Sequence, residues 1–447
     1  MVSMENNIMR NIFVLSVIAV LTSCGAGESS DDPDANTNEV VPGEPVNPEE
    51  MTDDTQTVAA IDLCEGSTAT VRFREDMTLS NHAVGVDYVV TCSMQFLDGR
   101  LTIESGTEVV FGSAASLRIT DDSEIRALGG YDGAIRTSPS IVFRGDSESG
   151  QPSWNGLSIG SASVDNYLEN VEIRDAGFQP ISSIFFPSGP SSLLLNNRLT
   201  IKGLTIENSG GHGLYLGGEA VFGQLQDVVI GETARHPLLL PTFIAATQLT
   251  ENKGNIVFTS SSTDNFQSVG LENLYLDAGL LGGRSNYVFE DHGIPYFSYS
   301  GIAVNGEAAI SINSGVDFIV AAGKKFRSGV GSGARIAIAG TSAEPVTFRG
   351  AEPIAGFWDG LEYRTRTSLN KIDHVVIEDA VNGIYLANQF TQVVSVTVND
   401  SLINNTSACG IGMVQNAGTN LVTSGNTYTN NGQGDMSDPL CLGNFVE

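Results

Sequence analysis

The 447-residue chain predicts an all-β solenoid, a coil of short parallel strands stacked rung upon rung. Three observations carry that prediction. From about Val58 onward, short alternating apolar segments are separated by Gly, Asn, Asp and Ser, with few helical periodicities. One six-residue pattern recurs at the spacing of a coil, and a longer series of blocks recurs in the same order further along. The composition agrees: 41% of residues are hydrophobic and 17% charged, enough to bury a large core. With 52 acidic against 22 basic residues, a net charge of −30, the chain is excluded from nucleic-acid binding by electrostatics.

The first element is an export signal, expected over residues 1–23. Arg10 precedes an apolar stretch, Ile12 to Leu21, interrupted only by Ser16 and too short to span a bilayer. Met1, Met4 and Met9 are alternative starts. The run ends in Leu21-Thr22-Ser23-Cys24-Gly25, which resembles the bacterial lipobox, where small residues precede a cysteine that is acylated. The resemblance implies lipidation at Cys24, hence a membrane partner through a lipid anchor, and Gly25 rather than Asp implies passage to the outer membrane. Residues 24–57 follow as a tether. From Gly25 to Thr57 there are ten acidic residues, no Lys or Arg, and prolines at 33, 42, 45 and 48, a composition that cannot fold. As a flexible coil it would span roughly 30 Å.

Residues 58–100 are expected to cap the coil and residues 101–447 to form it with a C-terminal cap. Export permits disulfides. Three pairings of Cys64, Cys92, Cys409 and Cys441 are possible; local pairing of Cys64 with Cys92 and Cys409 with Cys441 would place one staple at each end. No CxxC or clustered histidine supports a metal site instead.

The coil itself is read from recurrence. Leu168-Glu-Asn-Val171-Glu-Ile173, Ile201-Lys-Gly-Leu204-Thr-Ile206, Leu225-Gln-Asp-Val228-Val-Ile230, Leu271-Glu-Asn-Leu274-Tyr-Leu276 and Ile372-Asp-His-Val375-Val-Ile377 share one pattern, and Val398-Asn-Asp-Ser401-Leu-Ile403 is a weaker copy. Ile206 to Ile230 is 24 residues and Ile377 to Ile403 is 26, one circuit each, so equivalent strands stack and their inward side chains form ladders. About a dozen coils result. Over this lies a duplication. Ile103 to Phe111 aligns with Ile312 to Val320, Ile141 to Gly145 with Val346 to Gly350, Trp154 to Leu157 with Trp358 to Leu361, and Leu168 to Ala176 with Ile372 to Ala380, at offsets of 209, 205, 204 and 204. Both tryptophans fall at equivalent points, read as packing at a rung corner with the nearby glycine supplying a turn dihedral.

At these residues the chain resembles the bacterial right-handed parallel β-helix proteins, the pectin-lyase-like superfamily, and their surface lipoprotein branch. Ala339-Gly-Thr-Ser-Ala-Glu-Pro-Val-Thr-Phe348 followed by Trp358-Asp-Gly360 matches the pattern of that branch; the first copy is looser, since Pro139 precedes Ser140-Ile141 and the Gly-Thr is absent. The resemblance covers roughly residues 86 to 430. It implies the fold, which hosts lyases, hydrolases and adhesins. Its enzymes work on acidic polysaccharides with carboxylates that hold Ca²⁺ or act directly, beside a basic residue.

The best candidate cluster lies in the turn after each motif: Asp175, Asn208, Glu232, Asp379 and Asn405, with Glu207, Asp277 and Glu378 one residue earlier. If rungs stack, Asp175, Asn208 and Glu232 share a column, where two carboxylates could share a Ca²⁺ or serve as acid and base, with Arg174 or Arg235 and an exposed aromatic completing a site. Turn chemistry accounts for the same column without any ligand, because Asn and Asp tolerate the turn and bond their own backbone. Of the five histidines, His82, His292 and His374 are scattered, while His212 and His236 occupy equivalent places in successive coils and could approach as a stacked pair.

The expected protein is a lipid-anchored outer-membrane or surface solenoid without a cofactor, offering an extended face to a polysaccharide or an envelope protein. The competing expectations are a polysaccharide lyase or glycoside hydrolase, and a purely structural envelope component. The tether holds −10 of the charge and the body from Val58 the remaining −20, which favours neutral polymers or cation-bridged acidic ones.

Overall fold

A computed structural model describes residues 59–82, 85–133, 138–147, 150–181, 189–259, 267–272, 275–277, 286–329, 333–387, 393–414, 419–432 and 440–443. Cys24 and the tether lie outside the described residues. The fold is an all-β solenoid in which strands pair in parallel within sheets of 14, 11, seven and six strands. The recurring motifs of each half stack as their spacing requires, but the Leu271 copy does not join them: Leu271 pairs with Leu240 in the 14-stranded sheet and Leu276 with Val304 in the seven-stranded one. Leu168 faces Ile201 and Ile201 faces Leu225, while Ile173, Ile206 and Ile230 align in the same way. All are fully buried or nearly so. Pairing begins at Ile61, inside the segment expected as the cap, so that segment already belongs to the stack.

The third position of the motif is not an ordinary strand position. Asn170, Gly203, Asp227, His374 and Asp400 all have φ between 48° and 72° there, in the left-handed region. Each of these five motifs is therefore a corner, with apolar residues on both sides of the bend buried in one core. Gly, Asn and Asp at this place follow from their tolerance of left-handed backbone; His374 is the costlier exception.

Amide side chains complete other corners. Asn166 and Asn370, equivalent in the duplication, are fully buried. Asn166 Oδ1 accepts the Ile125 N–H at 3.2 Å and Asn370 Oδ1 accepts the Ile336 N–H at 3.1 Å, while Asn370 Nδ2 donates to the Ser395 carbonyl at 3.0 Å. They satisfy backbone groups that bending removes from the ladders. The tryptophans pack inside: Trp154 stacks on Phe111 with centroids 4.1 Å apart and donates its Nε1–H to the Arg174 carbonyl at 2.8 Å. Trp358 donates equivalently to Glu378 at 2.7 Å and lies over Phe348.

The two halves do not continue one another face for face. Glu108–Phe111 and Ile141–Gly145 lie in the 11-stranded sheet, but their duplicates Asp317–Val320 and Val346–Gly350 continue the 14-stranded sheet. Likewise Gly156–Ile159 belongs to the 14-stranded sheet and its duplicate Gly360–Tyr363 to the seven-stranded one. The second half is advanced by one face.

A short helical segment marks the change, and it departs from the all-strand expectation. Thr242–Ile244 and the π-helical turn Ala245–Leu249 follow Pro241 where the next strand of one face would lie. Gln248 closes the exposed strand edge beneath: its Oε1 accepts the Phe222 N–H at 2.8 Å and its Nε2 donates to the Ala220 carbonyl at 2.9 Å. With that edge satisfied by a side chain, the next rung is released from the old register. Disulfides join Cys64 to Cys92 and Cys409 to Cys441, one near each end, as the local pairing predicted.

Candidate functional site

The turn column forms, though its carboxylates are engaged. Asp175 and Asn208 are left-handed, with φ of 58° and 52°, and Asn208 Nδ2 donates to Asp175 Oδ1 at 2.6 Å. Glu232 does not join them as a third left-handed turn: it is exposed, and the contact that places it is its carbonyl, which accepts the Ser209 N–H at 2.9 Å. Glu232 keeps its place in the column, since Ser209 and Thr233 pair in parallel, but a glutamate side chain is too long to bond its own turn as Asn and Asp do, so the left-handed turn is what this rung gives up. Glu207 lies 3.4 Å from Arg174, which also pairs with Glu172. The side chain of Asp277 lies outside the described residues.

The duplicate column repeats the arrangement. Asn405 Nδ2 donates to Asp379 Oδ1 at 2.7 Å and Asn404 Nδ2 to Glu378 Oε1 at 3.2 Å. Together with Arg349 and Asn430 they line an open cleft of about 380 Å³. In both columns a carboxylate oxygen accepts an amide hydrogen from the rung above, which rigidifies the turn. Among the described residues no group of three His, Cys, Asp or Glu side chains is placed to hold a metal ion.

A more varied constellation gathers on the outer face of the 14-stranded sheet. Alternation along Ser191–Leu195, His212–Leu216 and Leu238–Leu240 sends Leu193, Leu214 and Leu238 into the main core, while Leu194, Tyr215 and Leu239 form a separate outer cluster. Beside that cluster the rings of His212 and His236 stack with centroids 5.6 Å apart and planes 8° from parallel, which realises the expected pair. His236 is fully buried. Its Nδ1 lies 2.9 Å from the Ser268 carbonyl, which can only accept, so that nitrogen carries the hydrogen in the neutral ring and Nε2 receives the Tyr299 hydroxyl at 2.7 Å.

Tyr299 is the outermost of these groups, 38% exposed, with Phe297 at 4.6 Å between centroids. Burial of its inner part raises its pKa, Arg235 opposes this and the Glu272 carboxylate adds to it, so the hydroxyl stays protonated at neutral pH. Glu272 also lies 3.1 Å from the Tyr215 hydroxyl, which donates to Oε2. Of the two basic residues that the sequence offered, Arg235 acts electrostatically on the exposed Tyr299, whereas Arg174 is tied to Glu172 and Glu207. Glu272, Phe297 and Tyr299 were not legible as site residues. They come from rungs after the change of face, and the only available signal was the local density of aromatic residues in Tyr296-Phe-Ser-Tyr299.

His292 has a different part. Burial lowers its pKa to about 4, Lys253 adds to the effect, and Asp291 and Glu290 oppose it. The unfolded chain takes up this proton near pH 6.5, so stability is fully present above that pH and is lost as the pH falls from 6.5 towards 4. A melting-temperature difference between the protein and His292→Gln should therefore shrink or reverse across this window; a constant difference contradicts the assignment.

No protein-family model matches the chain, and comparison with curated proteins and with solved structures returns no match.

Proposed function

We propose that this is an envelope solenoid, anchored by a lipid on Cys24 at the outer membrane or cell surface, whose outer face binds glycan chains around Tyr299. The arrangement of Tyr299 carries the reading. A partly exposed aromatic ring is held from behind by a buried histidine, with Arg235 and Glu272 close enough to act on its hydroxyl electrostatically, and the planar polar groups of these two suit sugar hydroxyls while the ring suits a sugar face. The acidic body favours neutral glycans over polyuronates on this surface. Resemblance to lipoproteins of the pectin-lyase-like superfamily supports the same placement of the protein.

Titration of the chain from Val58 onward with a panel of neutral and uronate-containing glycans tests this. Tyr299→Ala is expected to weaken the best ligand by about tenfold, the loss of one stacking anchor. Equal binding by the variant removes the site from Tyr299. Cys24→Ala should move the full chain out of the membrane fraction; retention there overturns the anchor.

One observation favours a second reading, a lyase or hydrolase. His236, oriented by the Ser268 carbonyl and bonded to the Tyr299 hydroxyl, has the base–orienter arrangement of a proton-transfer site. Release of unsaturated or reducing ends from the same glycan panel, abolished by His236→Gln, distinguishes it from binding alone.

A further inference from the structure

A second surface, on a different sheet, runs against the charge of the whole. The strands Lys325–Ser328 and Gly360–Tyr363 are neighbours in the seven-stranded sheet, with Lys325 opposite Gly360 and Arg327 opposite Glu362. Phe326, Leu361 and Tyr363 point into the core, so Lys325, Arg327 and Glu362 face outward. Glu362 is nonetheless only 3% exposed, because cations cover it. Lys325 Nζ lies 3.1 Å from Glu362 Oε2 and the Arg364 guanidinium bonds the other oxygen. The Arg364 backbone N–H donates to Ser328 Oγ at 3.0 Å, which fixes the start of its segment to the same strand pair. Asp359 is 3.5 Å from Lys325, and exposed Lys324 and Arg366 flank the group. Five of the chain's 22 basic residues thus lie on this strand pair and the segments that flank it, and two of them, Lys325 and Arg364, pair with its carboxylates, in a body whose net charge is −20.

The duplication shows that the fold does not need the buried carboxylate and the two cations that cover it. At the equivalent positions of the first half, Lys325 is replaced by Ser116, Glu362 by Ser158 and Arg364 by Gly160, while Arg327 keeps a basic counterpart in Arg118, and the same strands form there. A buried carboxylate with two cations is costly to assemble where Ser and Gly suffice. Its effect is to hold Lys325 and Arg364 in one orientation while their outer hydrogens remain for another anion.

We propose that the surface formed by Lys324, Lys325, Arg327, Arg364 and Arg366 is a binding site for an acidic glycan, recognised through its carboxylate or sulfate groups. The cations extend along one strand and across to the next, which suits charges repeated along a chain rather than a single small anion. The surrounding negative charge excludes a duplex nucleic acid, whose charges lie about 1.7 Å apart along its axis, more strongly than a polymer with at most a few charges per sugar. The site is on a different sheet from Tyr299 and stands independently of the reading given for that residue.

Full-length protein, immobilised and exposed to polygalacturonate, dextran sulfate and uncharged dextran at low and high salt, tests the assignment. Wild type should bind at least one of the two polyanions at low salt, release it at high salt and leave uncharged dextran unbound at this surface. Lys324→Gln combined with Arg327→Gln should lower that affinity by about tenfold, and Arg74→Gln, which removes an exposed cation in the first rungs, should leave it unchanged. Neither substituted side chain covers Glu362 within ion-pair distance, so the variant keeps the buried pairing; an unchanged thermal melt verifies this. If that variant melts early, Lys324→Gln with Arg366→Gln gives the same comparison on exposed positions. Absence of polyanion binding at low salt, binding equal in wild type and variant, or an equal loss of binding in Arg74→Gln overturns the proposal.

Discussion

Gly360→Ala is expected to destabilise the solenoid by about 3 kcal/mol or more. A Cβ at this position would lie 1.7 Å from the Asn382 carbonyl oxygen of the next rung, and the residue has φ of +105°, where an L side chain is strained whatever space surrounds it. Neither partner can move freely, since the obstacle is backbone. Its duplicate Gly156 has φ of +110° and would place a Cβ 2.6 Å from the carbonyls of Ser191 and Ser192, so Gly156→Ala should behave similarly. Gly323 separates the two causes: its φ is +62° but nothing lies within 4 Å, and Gly323→Ala should cost only about 1 kcal/mol. Denaturant midpoints of the three variants measure this. A Gly360→Ala protein as stable as Gly323→Ala would mean that close rung approach is not what selects glycine after each tryptophan.

Trp358→Ala should cost about 3–5 kcal/mol, the range for truncating a fully buried large aromatic residue. The side chain is 0% exposed beside Phe348 and its Nε1–H satisfies the Glu378 carbonyl, so alanine leaves both a cavity and an orphaned acceptor. Trp358→Phe retains most of the ring volume and loses only the donor, for about 1–3 kcal/mol. Because each rung contacts chiefly its neighbours, the loss should appear as early unfolding of the rungs around residues 346–386, visible as faster amide exchange there. Uniform loss of protection along the whole solenoid would instead show that the rungs unfold as one cooperative unit. The glycine and tryptophan effects together explain the Trp-x-Gly pair as a structural device, with the ring filling the corner and the glycine admitting the next rung.

Much of this architecture is legible in the residues. Spacings of 24 and 26 residues place Ile206 over Ile230 and Ile377 over Ile403, and both pairings occur as direct register partners. The third position of the motif was readable as polar but not as a corner. Asn170 and Asp227 are each the second of two consecutive polar residues, an interruption of the alternation, and only the positive φ reveals why Gly203 and Asp400 share their place. The turn column was legible as Asp and Asn at a fixed offset, yet Glu232 fits the offset while failing the conformation. The helix Thr242–Leu249 left a faint trace, Pro241 and a pair of alanines in an otherwise strand-like chain.

The sequence by itself determined what stacks on what: inward residues must be apolar at every rung, so period and duplication are written into their order. It also determined that Cys64, Cys92, Cys409 and Cys441 lie at the two ends. The tertiary structure alone decided which outward side chains share a surface. Water accepts almost any polar residue on an outer face, so no periodicity records that His236, Ser268 and Tyr299, up to 63 residues apart, meet at hydrogen-bonding distance. The advance by one face between the halves decides it further, because an outward residue of the second half lies on a different sheet from its duplicate in the first while the inward pattern is unchanged.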